Sequence, residues 1–212
     1  KKFIKKKIIS IIKVLLQLIK SPVEDLKKNY LFKFNNISIK VNTSNLMTYR
    51  RWSKFEIDGK EKDTIEWINS FEEGSVFFDI GANVGIFSIY AALKKKLKVY
   101  SFEPDPNSFL ELYNAIKLNN ANVTTLLVAL DNNKNSKFFN MESFGAGLSY
   151  NYLSEKRDEK NLKGGKDKFV ISTTTVDDLI LNKLIKTPDY IKIDVDGNEK
   201  NILDGSRKVL KD

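Results

Sequence analysis

The sequence predicts an α/β domain built on a doubly wound, Rossmann-like parallel sheet, and three observations carry that expectation. From residue 75 onward, apolar runs at 75–80, 98–103, 122–130 and 189–194 alternate with helical periodicity at 83–95 and 106–119. A glycine-bearing bend, Asp79-Ile80-Gly81-Ala82-Asn83-Val84-Gly85, joins the first run to the first helix. An acid, Glu103, closes the second run 18 residues after Gly85. Alternation of this kind gives parallel strands joined by right-handed crossovers.

With 212 residues, the chain has room for one such domain and an appended segment. Apolar residues make up 42% and charged residues 30%, a balance that supports a packed core rather than disorder. The absence of cysteine excludes disulfides, thiolate metal sites and cysteine nucleophiles. The absence of histidine leaves acid–base chemistry to carboxylates, lysine and tyrosine. Residues 1–28 hold nine lysines against two acids, a net +7 of the chain's +9, so the body is nearly neutral and no nucleic-acid partner is expected.

In chain order, residues 1–28 form a basic amphipathic segment. Lys6, Ser10, Lys13, Gln17 and Lys20 trace a polar stripe on a helix over 3–20, opposite Ile4, Ile8, Ile11, Leu15 and Ile19. Its apolar stretch spans 12 residues and contains Lys13, short of the ~20 a bilayer requires. Two roles stay open for it: packing on the domain or a partner, and peripheral contact with an anionic membrane surface. The expected location is the cytoplasm, with any such contact at the inner face of a membrane.

Residues 29–73 form an extension of hairpin and helix. Tyr30, Phe32 and Phe34, then Ile37, Ile39 and Val41, alternate about Asn35-Asn36 as in a β-hairpin. Ile65, Ile68 and Phe71 share a helical face over 63–73, with Gly74 as the stop. Between them Tyr49, Arg50, Arg51 and Trp52 make an aromatic and cationic cluster, suited either to lining an acceptor pocket or to surface packing.

The catalytic domain is expected over 74–212. Asp105 and Pro106 suit the cap and first turn of the helix at 106–119, and Asn119-Asn120 ends it. From Asp131 to Thr174 the alternation breaks: a hairpin turn at Asn132–Asn135, a polar loop at 141–167 and a strand at 168–173 suggest an insertion that shapes the substrate site. Thr175 to Asp178 matches a Thr-x-x-Asp capping box, opening a short helix that ends near Ile185.

The chemistry concentrates at the strand ends. Gly81 and Gly85 allow the backbone to pass close to a ligand, the following helix presents its N-terminus, and Asp79 can accept a hydrogen bond from a ligand ammonium or hydroxyl. Glu103 can accept from both ribose hydroxyls of an adenosine-containing ligand. The loop reads G-x-N-x-G rather than the G-x-G-x-x-G of pyrophosphate binders, and its acid favours a cationic ligand over a diphosphate. These features fit the sulfonium and ammonium of S-adenosyl-L-methionine. Asp194 ends the fourth strand, and Asp196 and Glu199 follow within a turn, so three carboxylates are expected at one rim. Asp194 is expected to orient or deprotonate an acceptor hydroxyl with Asp196 or Glu199 assisting; no resident metal is expected.

The chain resembles the FkbM-type S-adenosylmethionine-dependent methyltransferases from about Gly74 to Leu210. The likeness rests on D-I-G-A-N-V-G, Phe102-Glu103-Pro104, Val128-Ala129-Leu130, Thr174-Thr175-Val176-Asp177-Asp178, and Lys192-Ile193-Asp194-Val195-Asp196-Gly197-Asn198-Glu199 followed by Ile202-Leu203-Asp204-Gly205. The resemblance implies a class I methyltransferase sheet and O-methylation of a hydroxyl on a sugar, glycan or secondary metabolite. It implies that Asp79, Gly81, Asn83 and Gly85 surround the methionine half of the cofactor, with Glu103 at the ribose and Ala129 and Leu130 near the adenine. Where the family usually carries glutamate, this chain has Asp196, one methylene shorter. Class I sheets continue beyond the helix near 199–211, so C-terminal strands are expected to be missing from these residues and one sheet edge to be uncovered. Two other readings stay in play: a nicotinamide-dependent oxidoreductase, and a nonenzymatic membrane-surface module working through residues 1–28.

Overall fold

The computed structural model describes residues 28–57, 61–141, 145–148, 151–155 and 167–211. The helix expected over 3–20 lies outside them. No helix among the described residues is long and apolar enough to cross a membrane.

The chain opens with the hairpin the alternation predicts, β1 (Lys28–Phe34) and β2 (Ile37–Thr43), paired antiparallel. Asn35 and Asn36 both take positive φ, 43° and 65°, the geometry a two-residue turn needs to match strand twist. A helix not foreseen in the sequence follows, α1 (Leu46–Ile57). Asn45 caps it, its Oδ1 accepting from the Met47 and Thr48 amides. Thr48, Trp52 and Phe55 are buried on one face at spacings of four and three, which is the helical period.

α2 (Lys62–Asn69) stops earlier than expected. The stop is Ser70 rather than Gly74, because Phe71 leaves the helix to stack flat on Tyr190, with centroids 3.7 Å apart. The central sheet comprises β3 (Val76–Ile80), β4 (Lys98–Phe102), β5 (Val123–Leu126) and β10 (Tyr190–Ile193), all parallel, in the order β10-β3-β4-β5. The crossover helices are α3 (Ile86–Lys95) and α4 (Pro106–Asn119). α3 begins three residues later than expected because Asn83 and Gly85, at φ 50° and 86°, cannot be helical. Asp105 caps α4 as predicted, accepting from the Asn107 and Ser108 amides.

Alternate residues of the strands feed opposite layers. Phe77 and Val99 pack under α3 with Tyr90, Ala91 and Ala92, whereas Phe78, Ile80, Tyr100 and Phe102 face Val176, Leu179 and Ile202. Both faces are therefore covered, as a doubly wound sheet requires. The hairpin and α1 close the outer side of α3 and α4 through Phe32, Ile39, Val41, Trp52, Ile89 and Leu112.

The run at 122–130 is two strands, not one. β5 ends at Leu126, and after Leu127 and Val128 the chain joins a second sheet as β6 (Ala129–Leu130). That sheet, ordered β6-β9-β7-β8, adds β7 (Asn135–Met141), β8 (Tyr152–Ser154) and β9 (Asp167–Thr174). The turn at Asn132–Asn135 is accordingly not a hairpin: β6 pairs parallel with β9, and β7 runs antiparallel to β9 and β8. The segment expected as a loop at 141–167 contains β8.

α5 (Val176–Leu181) starts at the Thr175 cap, whose Oγ1 accepts from the Asp178 amide, but ends before Ile185, with Lys183 at φ 56° just beyond it. α6 (Glu199–Asp204) is shorter than the helix expected near 199–211, giving way to turns at Gly205.

Candidate active site

In the order β10-β3-β4-β5 the chain winds one way from β3 to β5, then returns to the other side of β3 with β10. Open α/β sheets bind ligands outside the strand ends at such a reversal. Here the β3 and β10 ends come close: Asp194 N–H donates to the Ile80 carbonyl at 3.0 Å, and Gly81 and Ala82 N–H both donate to Phe102 at the end of β4. Gly81, at φ +78°, lies so near β10 that a Cβ there would fall 2.1 Å from the Asp194 carbonyl oxygen.

An open cleft occupies this position, with about 850 Å³ of empty space in and before it, open solvent included. Gly81 and Asn83 form one wall, Glu103 and Pro104 another, and Asp194 and Asp196 a third. Val128, Ala129 and Leu130 provide an apolar side, completed by Phe139, Tyr152 and Leu153 from the second sheet. The insertion therefore does shape the cleft, as its position in the sequence implied.

Glu103 is buried, and its two oxygens accept from the Asn83 amide at 2.7 Å and the Asp105 amide at 2.8 Å. Burial nonetheless pushes its carboxyl up to about 7, with the amides opposing and Asp105 and Asp79 reinforcing the rise. Asn83 braces the bend, its Nδ2 donating to the Leu148 carbonyl and its Oδ1 accepting from Val84 N–H.

Several expected residues sit elsewhere. Asp79 is fully buried beneath the bend and does not line the cleft; its carboxylate accepts from Ser88 Oγ at 2.5 Å and pairs with Lys192 Nζ at 3.3 Å. The acids that do line the cleft are Glu103, Asp194 and Asp196. Gly85 is also remote: it caps α3, and a Cβ there would strike Leu112 Cδ1 at 2.2 Å, so its role is close packing of α3 on α4. Glu199 stands in the first turn of α6 with its carboxylate toward Gly197 N–H, outside the cleft lining. The three carboxylates expected at one rim thus reduce to Asp194 and Asp196. No cluster of three potential metal ligands occurs among the described residues.

Lys192 and the cluster at 49–52 also find places. Lys192 projects toward α3, between Asp79 and Asp194 at 3.3 Å each and 5.0 Å from the Phe87 ring centre. Burial pulls its ammonium down, but Asp79 and Asp194 outweigh that and raise it overall. The cluster at 49–52 divides by helical position: Trp52 is core, Tyr49 packs tilted against Tyr30 with ring centres 4.7 Å apart, Arg50 is exposed, and Arg51 lines the cleft. The buried 48, 52, 55 spacing was the signal that would have revealed α1. Nothing in the local sequence marked Leu148, Asn151 and Tyr152 as lining residues, because a strand pairing across the insertion brings them there.

The arrangement fits an adenosine-containing cation. A glycine bend admits backbone close to a ligand, Glu103 is an acceptor suited to vicinal hydroxyls, Ala129 and Leu130 offer apolar contact, and Asp194 and Asp196 give the cleft an acidic wall. Fold and site thus match the class of doubly wound, nucleoside-binding domains. A family profile described as the methyltransferase FkbM domain matches residues 79–212, and the chain belongs to that family of S-adenosylmethionine-dependent methyltransferases. A curated relative, the hexuronic acid methyltransferase AglP of Haloferax volcanii, is 24% identical over 152 residues, covering 71% of this chain and 58% of that protein. The chain thus spans less than two thirds of that relative's length. Among solved structures, TYW2 of M. jannaschii in complex with AdoMet is similar at 27% identity and a TM-score of 0.37, covering 48% of this chain and 43% of that one. TYW2 of P. horikoshii in complex with MeSAdo is similar at 19% identity and a TM-score of 0.37, covering 50% and 40%.

Proposed function

We propose that this domain transfers a methyl group from S-adenosylmethionine to a hydroxyl of a sugar, glycan or secondary metabolite. The observation that carries the reading is one cleft, at the reversal of strand order, lined together by Gly81, Asn83, Glu103, Asp194 and Asp196. Among the described residues its lining acids outnumber its one base, Arg51, which favours a cationic cofactor and disfavours the diphosphate of a dinucleotide. The name of AglP supports an acidic sugar as acceptor.

When bound, the cofactor supplies an activated methyl on a cationic sulfur whose leaving group is neutral, so no general acid is required. The residues of the chain then have two tasks: alignment of the accepting oxygen and management of its proton. Asp194, 72% exposed at its side chain and held by Lys192, can accept a hydrogen bond from an incoming hydroxyl. Asp196 is tied to the insertion, its Oδ2 accepting from the Asn151 amide at 3.1 Å, and links the acidic wall to the segment that shapes the acceptor side.

Glu103 gives a pH prediction. Its folded value of about 7 lies above the ordinary 4.5, so the folded protein without cofactor holds this proton up to near neutrality. That contribution to stability is complete below the ordinary carboxylate range and is lost as pH rises through about 7. A ligand whose hydroxyls need the ionised acceptor competes with the proton. Affinity for S-adenosylhomocysteine, measured by calorimetry, is expected to fall roughly 10-fold from pH 8 to pH 6. Glu103→Gln should weaken binding at pH 8 by about 10- to 100-fold and flatten the profile. An unchanged slope in the variant would remove Glu103 from the cofactor site.

The functional reading is tested with a methyl-labelled donor and a panel of neutral and uronic acid glycosides, beside calorimetry with S-adenosylhomocysteine and NAD. The expected result is binding of the former alone and label in an alkali-stable ether. Label in an alkali-labile ester would overturn the hydroxyl assignment, and binding of NAD alone would overturn the class.

A further inference from the structure

Among the described residues, Arg51 is the only basic side chain lining the larger cleft. It also lines the smaller recess beside it, formed by the Gly81 to Val84 bend with Ile86, Phe87, Lys192 and Asp194. It comes from α1, before the residues the family profile matches. An arginine facing a cleft from an appended segment calls for a reason, because even a partly buried guanidinium is costly to desolvate.

Two features show how it is held. Its Nε donates to the Gly147 carbonyl, and Gly147 is itself fixed by donating from its amide to Ser108 Oγ at 3.1 Å. Gly147 has φ +76°, and a Cβ there would sit 3.1 Å from the Thr48 amide nitrogen, so the strap at 145–148 is seated tightly on α1. The neighbouring Leu148 carbonyl accepts from Asn83 of the bend at 2.9 Å. Arg51, the strap and the glycine bend are therefore one connected unit. Burial lowers the Arg51 guanidinium below its ordinary value, while Asp194, Glu103 and Asp196 act to raise it.

The charges of the cofactor proposed above are two cations, sulfonium and ammonium, and one carboxylate. Asp194 and Asp196 on the cleft wall complement the cations. A carboxylate finds one basic side chain among those lining residues, and it belongs to a residue type whose planar fork matches a carboxylate. Arg51 lies against the bend and shares the smaller recess with Asp194, so a carboxylate held there stands beside an acid that suits a neighbouring ammonium, the charge pair of an amino acid.

We propose that Arg51 binds the carboxylate at the amino-acid end of the cofactor, so that α1 completes the cofactor site from outside the core domain. The proposal rests on the S-adenosylmethionine reading. It implies that ligands possessing that carboxylate sense Arg51 and that ligands lacking it do not.

The test compares S-adenosylhomocysteine with 5′-methylthioadenosine, which keeps adenosine and the thioether but has no amino-acid group, in binding to the wild-type chain, Arg51→Met and Arg51→Lys. Arg51→Met is expected to weaken S-adenosylhomocysteine by about 10- to 100-fold while methylthioadenosine changes by less than about 2-fold. Arg51→Lys, which keeps the charge but not the fork, should recover part of the loss. Retained binding of methylthioadenosine also shows that the variant is folded at the site. Equal weakening of both ligands, or an unchanged S-adenosylhomocysteine affinity, would overturn the assignment; the latter would point to the acceptor instead. If the wild-type chain binds neither ligand, the cofactor reading itself fails, a different outcome from failure of the Arg51 assignment.

Discussion

Replacing Asp194 with asparagine is expected to lower turnover by about 100- to 10,000-fold while S-adenosylhomocysteine affinity falls far less, by no more than about 10-fold, the share its charge adds to the acidic wall. The substitution keeps size and removes the charge, so the cleft shape survives. Lys192 retains Asp79 as a partner at 3.3 Å, and the Asp194 side chain is largely exposed, so little stability is at stake. The split between turnover and binding is the informative part. An acid that orients the acceptor hydroxyl acts in the transition state, and its loss appears in kcat. Equal losses in cofactor affinity and turnover would make Asp194 a cofactor ligand instead, and full activity would remove it from the mechanism. The same substitution at Glu199, which lies outside the cleft lining, should leave turnover within about 3-fold of the parent.

The second large effect belongs to Gly81. Alanine there meets the Asp194 carbonyl oxygen at 2.1 Å and must adopt φ +78°. Forced left-handed backbone costs about 1–2 kcal/mol and overpacking about 1–3 kcal/mol more. The obstacle is backbone, so β3 and β10 must separate where the cleft begins. Gly81→Ala is expected to lower Tm by about 10 °C and to weaken S-adenosylhomocysteine by at least about 100-fold. Gly74 is the control, because it has φ +84° but no atom within 4 Å of an added Cβ. Gly74→Ala should carry the backbone strain alone, about 1 kcal/mol, and leave binding unchanged. Similar behaviour of the two variants would mean that close approach of the strands is unimportant.

These two residues also illustrate what the sequence disclosed. Gly81 was legible because an apolar run, a glycine bend and a helical period fall in immediate succession, and the strand-to-helix turn follows from short-range chemistry. Asp194 was legible for a related reason: it ends a β-run, and the ends of parallel strands form the ligand rim. Glu103 followed the same logic. Asp79 did not, because its side chain points under the sheet to Ser88 and Lys192, 9 and 113 residues away, and only the packed fold decides which face of a strand end meets the cleft. Glu199 was drawn to the rim by sequence proximity, whereas the turn at Gly197 and the start of α6 direct it to its own backbone.

The second sheet was the least legible part. Its strands are short, its β6 runs straight on from β5, and its pairing of β6 with β9 joins residues more than 40 positions apart. Periodicity identifies a strand but does not choose its partner. Arg51 illustrates the converse: its helical neighbourhood could be read from Thr48, Trp52 and Phe55, yet its relation to the cleft depends on how α1 lies against the strap at 145–148.

All of these expectations depend on an adenosine-containing cation occupying the cleft at the β3–β10 reversal. The most direct measurement is a crystal structure of this chain grown with S-adenosylhomocysteine. Both ribose hydroxyls are expected within hydrogen-bond distance of Glu103, with the amino-acid end over the Gly81 to Asn83 bend. A ligand bound elsewhere, or a ribose turned away from Glu103, would contradict this placement.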